Sequence, residues 1–127
     1  MTPISQVFKY QIVVFNDEVD DHEFTLVSAR DNFYQPISNN QSIVLTEVEV
    51  NSMFKVFNII NEVNDSMIGI HEDDIIYSND IIKQCVFRLE TYINNQSLES
   101  REEELSNKIL ELFKDAYKRN KNIYFLF

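Results

Sequence analysis

The side chains able to do covalent or acid–base chemistry in this chain are few: one cysteine, Cys85, and two histidines, His22 and His71. A catalytic nucleophile needs a base within hydrogen-bond reach. Cys85 falls between Ile82 and Leu89 on an apolar helical stripe, a setting in which a thiol serves as a small buried hydrophobe. The histidines each stand among carboxylates, in DEVDDHE and HEDD. Both runs offer oxygen and imidazole donors, yet neither reproduces the spaced D-x-[DN]-x-[DN]-G calcium loop or HExxH. Paired carboxylates are no guide, because 21 acidic residues make too many pairs to single one out. The sequence therefore assigns no catalytic residue, no metal ligand and no cofactor. A small hydrolase using His22 or His71 with neighbouring acids is the enzymatic alternative.

Nucleotide chemistry built on glycine-rich phosphate cradles is excluded more firmly. The chain has a single glycine, Gly69, so neither a P-loop nor a GxGxxG turn can be written in it. One cysteine forms no intramolecular disulfide, and no Cys/His cluster offers structural zinc, which fits a reducing, cytoplasmic setting. No stretch reaches the roughly 18 apolar residues of a membrane span and no leader pattern opens the chain, so the expectation is a soluble protein with no membrane partner.

Charge is the strongest signal. At 127 residues the formal net charge is −10, from 21 acids against 11 bases. The last third is balanced: Glu99, Glu102, Glu103 and Glu104 come first and Lys114, Lys118, Arg119 and Lys121 last, the order that complements a helix macrodipole. Two acidic knots lie outside that logic. Asp17, Glu18, Asp20, Asp21 and Glu23 crowd into seven residues, and Glu72, Asp73 and Asp74 follow His71 with Tyr77 close behind. Like charges held close oppose compaction unless they stay solvated or meet an opposite surface. A solvated turn is the plain reading; the sharper one makes these nine residues the contact surface for a basic protein. Direct nucleic-acid binding is disfavoured, since affinity for phosphates rests on Lys and Arg clusters.

The elements that must carry these residues follow from periodicity. VFKYQIVVF, residues 7–15, is rich in β-branched and aromatic types and predicts a strand. EFTLVSAR predicts a second strand, with the first knot as the hairpin connection, and residues 31–42 read as an irregular crossing. At Thr46 the sequence TEVE is a capping box opening a helix whose face is Val50, Phe54, Phe57, Ile60 and Val63, widened by Val56 and Ile59, ending near Asn64–Ser66. The segment MIGIHEDDIIYSND reads either as a short strand with a loop or as the approach to a helix. A second helix runs from Ser78 to Asn94–Asn95, and a third begins at another capping box, SREE, with Glu104–Lys108 and Asp115–Arg119 spaced as ion pairs. The terminal run IYFLF cannot alternate faces and suits a strand covered on both sides. The sum is one α+β domain over residues 1–127: an N-terminal hairpin and a C-terminal strand in a sheet packed by about three helices.

With its two acidic knots, one glycine, no catalytic set and the strand-to-helix passage SIVLTEVEVNSMFKVF, the chain resembles the small acidic immunity proteins of bacterial toxin systems, including contact-dependent growth inhibition. The likeness lies in composition across the whole chain. It implies a cytoplasmic protein that binds a basic toxin domain, often a nuclease, and blocks it. The alternative with the same electrostatics is a phage-type acidic inhibitor that mimics nucleic acid and occupies a DNA-binding, restriction or CRISPR effector. Homodimerisation is left open.

Overall fold

Alternating β-branched and aromatic residues make Tyr10–Phe15 a strand, β1, with Tyr10, Ile12 and Val14 turned into the core. A computed structural model of the chain describes residues 10–15, 40–69, 72, 74–77, 79–96 and 100–127. In chain order the elements after β1 are β2 (Asn40–Leu45), α1 (Glu47–Ser52), α2 (Phe54–Asn64), β3 (Asp74–Ile76), α3 (Asn79–Asn95), α4 (Ser100–Arg119) and β4 (Ile123–Leu126). The four strands form one antiparallel sheet in the order β2-β1-β4-β3. This is an α+β fold, as the sequence predicts.

The C-terminal strand lies inside that sheet. β4 pairs with β1 through Gln11↔Leu126 to Val13↔Tyr124 and with β3 through Asp74↔Phe125 to Ile76↔Ile123, and all four of its residues are buried. Ile123 and Phe125 join the helical core, while Tyr124 and Leu126, on the other parity, are equally shielded from water. Phe125 stands at the centre of an aromatic cluster, edge-on to Phe57, Phe113 and Phe127 at centroid distances of 6.4, 6.2 and 5.7 Å. These are the T-shaped contacts that ring quadrupoles favour.

The hairpin expectation changes in its details. Both neighbours of β1 across Gln11–Val13 are accounted for, β2 on one side and β4 on the other. The antiparallel partner of β1 in sequence order is Asn40–Leu45, in register from Tyr10↔Leu45 to Phe15↔Asn40. The segment expected to be that partner, residues 23–30, lies outside the described residues, as does most of the irregular crossing. Its last three residues, Asn40, Gln41 and Ser42, are strand rather than loop. Pairing with β1 outweighs their weak intrinsic preference, and an edge position leaves Gln41 and Ser42 in solvent.

Thr46 opens the helical layer as expected: its Oγ1 accepts from the Glu49 N–H at 3.2 Å, and its own N–H donates to Glu49 Oε1 at 3.0 Å. The single helix predicted from there is divided at Met53, whose φ of −95° and ψ of 18° leave the helical region. Its N–H is shared between Glu49 and Val50 carbonyls, at 3.0 and 3.2 Å. Beyond this point Met53 and Val56 face inward with Val50, Phe57 and Ile60, and Phe54, expected on the apolar face, is exposed.

Two helices end without glycine. Asn120 takes φ of 57° while Lys121 N–H reaches Ala116 O at 2.9 Å and Asn120 N–H reaches Tyr117 O at 3.2 Å, a Schellman closure of α4. Asp65, with φ of 52°, closes α2 in the same left-handed region. α3 packs Ile82, Cys85 and Leu89 inward, and α4 contributes Leu105, Ile109, Leu112, Phe113 and Ala116. The capping box expected at Ser100 is not formed: Ser100 is already the first helical residue of α4, and the position before it, residue 99, lies outside those described. The two expected ion pairs are present, Lys108–Glu104 at 3.4 Å and Arg119–Asp115 at 2.7 Å.

Candidate functional site

The least certain segment of the sequence turns out to build a sheet edge. After α2, Asn61 holds the chain: its Nδ2 donates to Ile68 O at 2.9 Å, and its Oδ1 accepts from Ile68 N–H at 2.7 Å and from Ser66 Oγ at 2.8 Å. Ile68 is thereby fixed in the core. One residue on, Gly69 and Glu72 exchange backbone hydrogen bonds of 3.3 and 3.0 Å as an antiparallel bridge that leads into β3. Ile75 and Ile76 are buried, which pins the strand at the end of the sheet.

Three nominated residues lie on or beside that strand. Glu72 is exposed, Asp74 is half-buried with Oδ1 accepting from the Ile75 N–H at 2.8 Å, and Tyr77 is 70% exposed just past the strand. The other six, Asp17, Glu18, Asp20, Asp21, Glu23 and Asp73, lie outside the described residues, with His22 and His71. Eight of the 21 acids fall in those undescribed segments, against two of the 11 bases.

Some helix carboxylates are matched with cations, Glu49 and Arg101 at 2.6 Å, Glu62 and Arg88 at 2.6 Å, Glu104 with Arg101 at 3.3 Å and Glu111 with Lys114 at 3.6 Å, while Glu47, Asp80, Glu90, Glu102 and Glu103 have none among the described residues. Among the described residues, no cation is paired with Glu72 or Asp74. An anionic edge with an exposed tyrosine beside it can attract a basic surface and anchor it with an aromatic ring. No family model, no curated protein and no solved structure matches the chain. The edge must therefore be read from its own chemistry.

Chemistry of other kinds finds little support in the described part. Cys85 is fully buried, and burial pushes its thiol up to about 12 despite the Arg88 charge, so the reactive thiolate is suppressed. Among the described residues no group of three or more His, Cys, Asp or Glu side chains could hold a metal ion, and no helix is long and apolar enough to cross a membrane.

Two features escaped the sequence reading. Glu49 does double duty: besides closing the capping box it accepts Arg101 Nε at 2.9 Å and Nη2 at 2.6 Å from the start of α4. Burial pushes its carboxyl up, but the Thr46 and Arg101 hydrogen bonds and the Arg101 charge outweigh that and leave it below the ordinary carboxylate range. The second is a groove of about 530 Å³ between β2 and α4, lined by Ile43, Val44, Leu105, Leu112, Lys108 and Glu111 among others. Neither was legible, because Arg101 lies 52 residues from Glu49 and the groove joins Asn40–Leu45 to a helix that begins only at Ser100. The only local hint is the absence of charge in NQSIVL.

Proposed function

We propose that this protein is a non-catalytic acidic binding protein of the cytoplasm that neutralises a basic protein, in the manner of an immunity protein holding a toxin domain such as a nuclease. The observation that carries the reading is the acidic excess, 21 acids against 11 bases, together with Glu72 and Asp74 at the β3 edge, which have no cation among the described residues. Carboxylates without an internal cation keep their charge available to an external one, which raises association rate and fixes orientation. Tyr77 supplies the apolar contact that a charged rim lacks. The Asp17–Glu23 knot adds five more acids to the same chemistry. A buried, proton-bound Cys85 argues in the same direction, toward action by occupancy rather than by reaction.

The test is a comparison of variants against a partner captured from the native host. Changing Asp17, Glu18, Asp20 and Asp21 together to Asn or Gln, and separately Glu72→Gln with Asp74→Asn, should weaken binding and flatten its dependence on ionic strength. Stability should be equal or slightly higher, since repulsion is relieved. Equal affinity of the parent and both variants at low salt would refute the reading.

A further inference from the structure

Asn61 directs its carbonyl and both ends of its side chain at one short stretch of chain. Its backbone oxygen accepts from the Asp65 N–H and from the Ser66 N–H at 3.1 Å. Its side-chain oxygen accepts from Ser66 Oγ at 2.8 Å and from the Ile68 N–H at 2.7 Å, while Nδ2 donates to Ile68 O at 2.9 Å. Holding both the N–H and the C=O of Ile68 gives that residue the pair of bonds that an opposed strand residue would give. Among the described residues, no other side chain hydrogen-bonds to residues 66–69.

The only glycine of the chain does not set this path. Gly69 has no positive φ, and a Cβ built on it would meet only Met67 O, at 4.0 Å. The two acids of the edge therefore have separate anchors. Glu72 is held through its bridge to Gly69, the residue next to the clamped Ile68. Asp74 belongs to β3, pairs with Phe125 of β4 and is followed by the buried Ile75 and Ile76.

We propose that Asn61 is the positioning residue of the anionic edge: its carboxamide stands where a strand would, fixes residues 66–69, and through the Gly69–Glu72 bridge holds the Glu72 carboxylate where a basic partner meets it. The inference rests on the reading of that edge as a partner surface. The role demands a donor and an acceptor on one short side chain. Ionised aspartate lacks the donor, leucine keeps the branching but lacks both, and glutamine carries the amide one methylene too far.

The experiment is nuclear magnetic resonance on the full chain, with circular dichroism melting of every variant to confirm folding. Amide exchange reports the clamp. Carboxylate-carbon shifts during titration with a short poly-lysine peptide at low salt report the edge, the peptide being basic chemistry alone. In Asn61→Leu the Ile68, Gly69 and Glu72 amides should exchange about tenfold or more faster, while those of β4 keep the parent's rates. The Glu72 response to the peptide should fall and the Asp74 response persist. Asn61→Asp supplies a pH profile that a space-filling role would not give, and it stands alone if the leucine variant does not fold. Ionised, it should exchange like Asn61→Leu; once protonated, its O–H donates to Ile68 O while the other oxygen accepts from the Ile68 N–H, so protection returns as pH falls. Glu62, Asp65, Glu72 and Asp74 titrate in parent and variant alike, so the difference between the two proteins is the readout. Gly69→Ala should behave as the parent. Parental exchange in Asn61→Leu, no acid recovery in Asn61→Asp, or a loss in Gly69→Ala equal to that in Asn61→Leu overturns the proposal. A folded Asn61→Leu protein whose two acids respond as the parent's do removes the proposal alone. A parent in which neither Glu72 nor Asp74 responds to poly-lysine removes the reading of the edge and the proposal with it.

Discussion

Phe125→Ala tests the packing that holds β4 inside the sheet. The ring is fully buried and is met edge-on by Phe57, Phe113 and Phe127, so none of these neighbours can close the space without giving up its own contacts. Phe→Ala changes in such sites cost about 3–5 kcal/mol, the transfer of the ring plus the cavity left behind. Three aromatic neighbours place this site in the upper half of that range, about 4–5 kcal/mol. Domains of this size are stable by about 5–15 kcal/mol, so the variant should remain folded only if the parent lies above the bottom of that range. With no tryptophan in the chain, urea unfolding is best followed by far-ultraviolet circular dichroism. The midpoint should fall by the equivalent of about 4 kcal/mol with an unchanged m-value. Phe87→Ala serves as control: that ring is 72% exposed and its removal should stay within about 0.5 kcal/mol. A loss below about 1 kcal/mol for Phe125→Ala, or equal losses for the two variants, would refute the placement of β4.

Deleting Ile123–Phe127 should abolish the cooperative melt altogether, because it removes a strand bonded on both sides; an unchanged melting temperature would contradict that. Met53→Ala should cost about 2–4 kcal/mol and Phe54→Ala less than about 1 in the same urea titration, an order that reverses if the helix runs unbroken with Phe54 inward. Asn120→Gly should raise stability by about 0.5–1 kcal/mol, since glycine accepts φ of 57° without the steric cost borne by asparagine; a loss of stability would mean that the asparagine side chain matters more than the backbone. Cys85 should react with a thiol reagent only as fast as the protein opens, its thiol being held up to about 12, and rapid labelling of the native protein at pH 8 would contradict its burial. For Glu49→Gln the sign follows from a folded-state pKa below the unfolded one. The parent's advantage is full above the ordinary glutamate value near about 4.3 and is lost as pH falls through the folded-state pKa, so parent and variant should converge in acid; a difference independent of pH would refute the linkage.

Local signals were legible wherever one element carries the whole message. The Thr46–Glu49 capping box, the Cys85 stripe, the Glu104–Lys108 and Asp115–Arg119 pairs and the apolar IYFL strand each depend on residues within a few positions of one another. The division at Met53 was not, because Met53 and Phe54 both satisfy the spacing from Val50, and only packing against Ser106, whose Oγ lies 3.9 Å from the Met53 sulfur, decides which turns inward. The start of β2 carries no strand signal of its own, since Asn40, Gln41 and Ser42 have weak strand preference and only their alignment with β1 makes them a strand. At the candidate site the sequence identified Glu72, Asp74 and Tyr77 as a group from composition. That they share a sheet edge depends on the Asn61 clamp and the Gly69–Glu72 bridge, hydrogen bonds with no compositional trace.

The central claim, neutralisation of a basic partner through acidic surfaces, is tested most directly by growth. The partner captured from the native host is expressed in a naive host alone, with the parent protein, and with a variant neutralised at Glu72, Asp74, Asp17, Glu18, Asp20 and Asp21. Growth should arrest with the partner alone, recover fully with the parent, and recover little or not at all with the variant at equal expression. A captured partner that is harmless alone, or equal rescue by parent and variant, would contradict it.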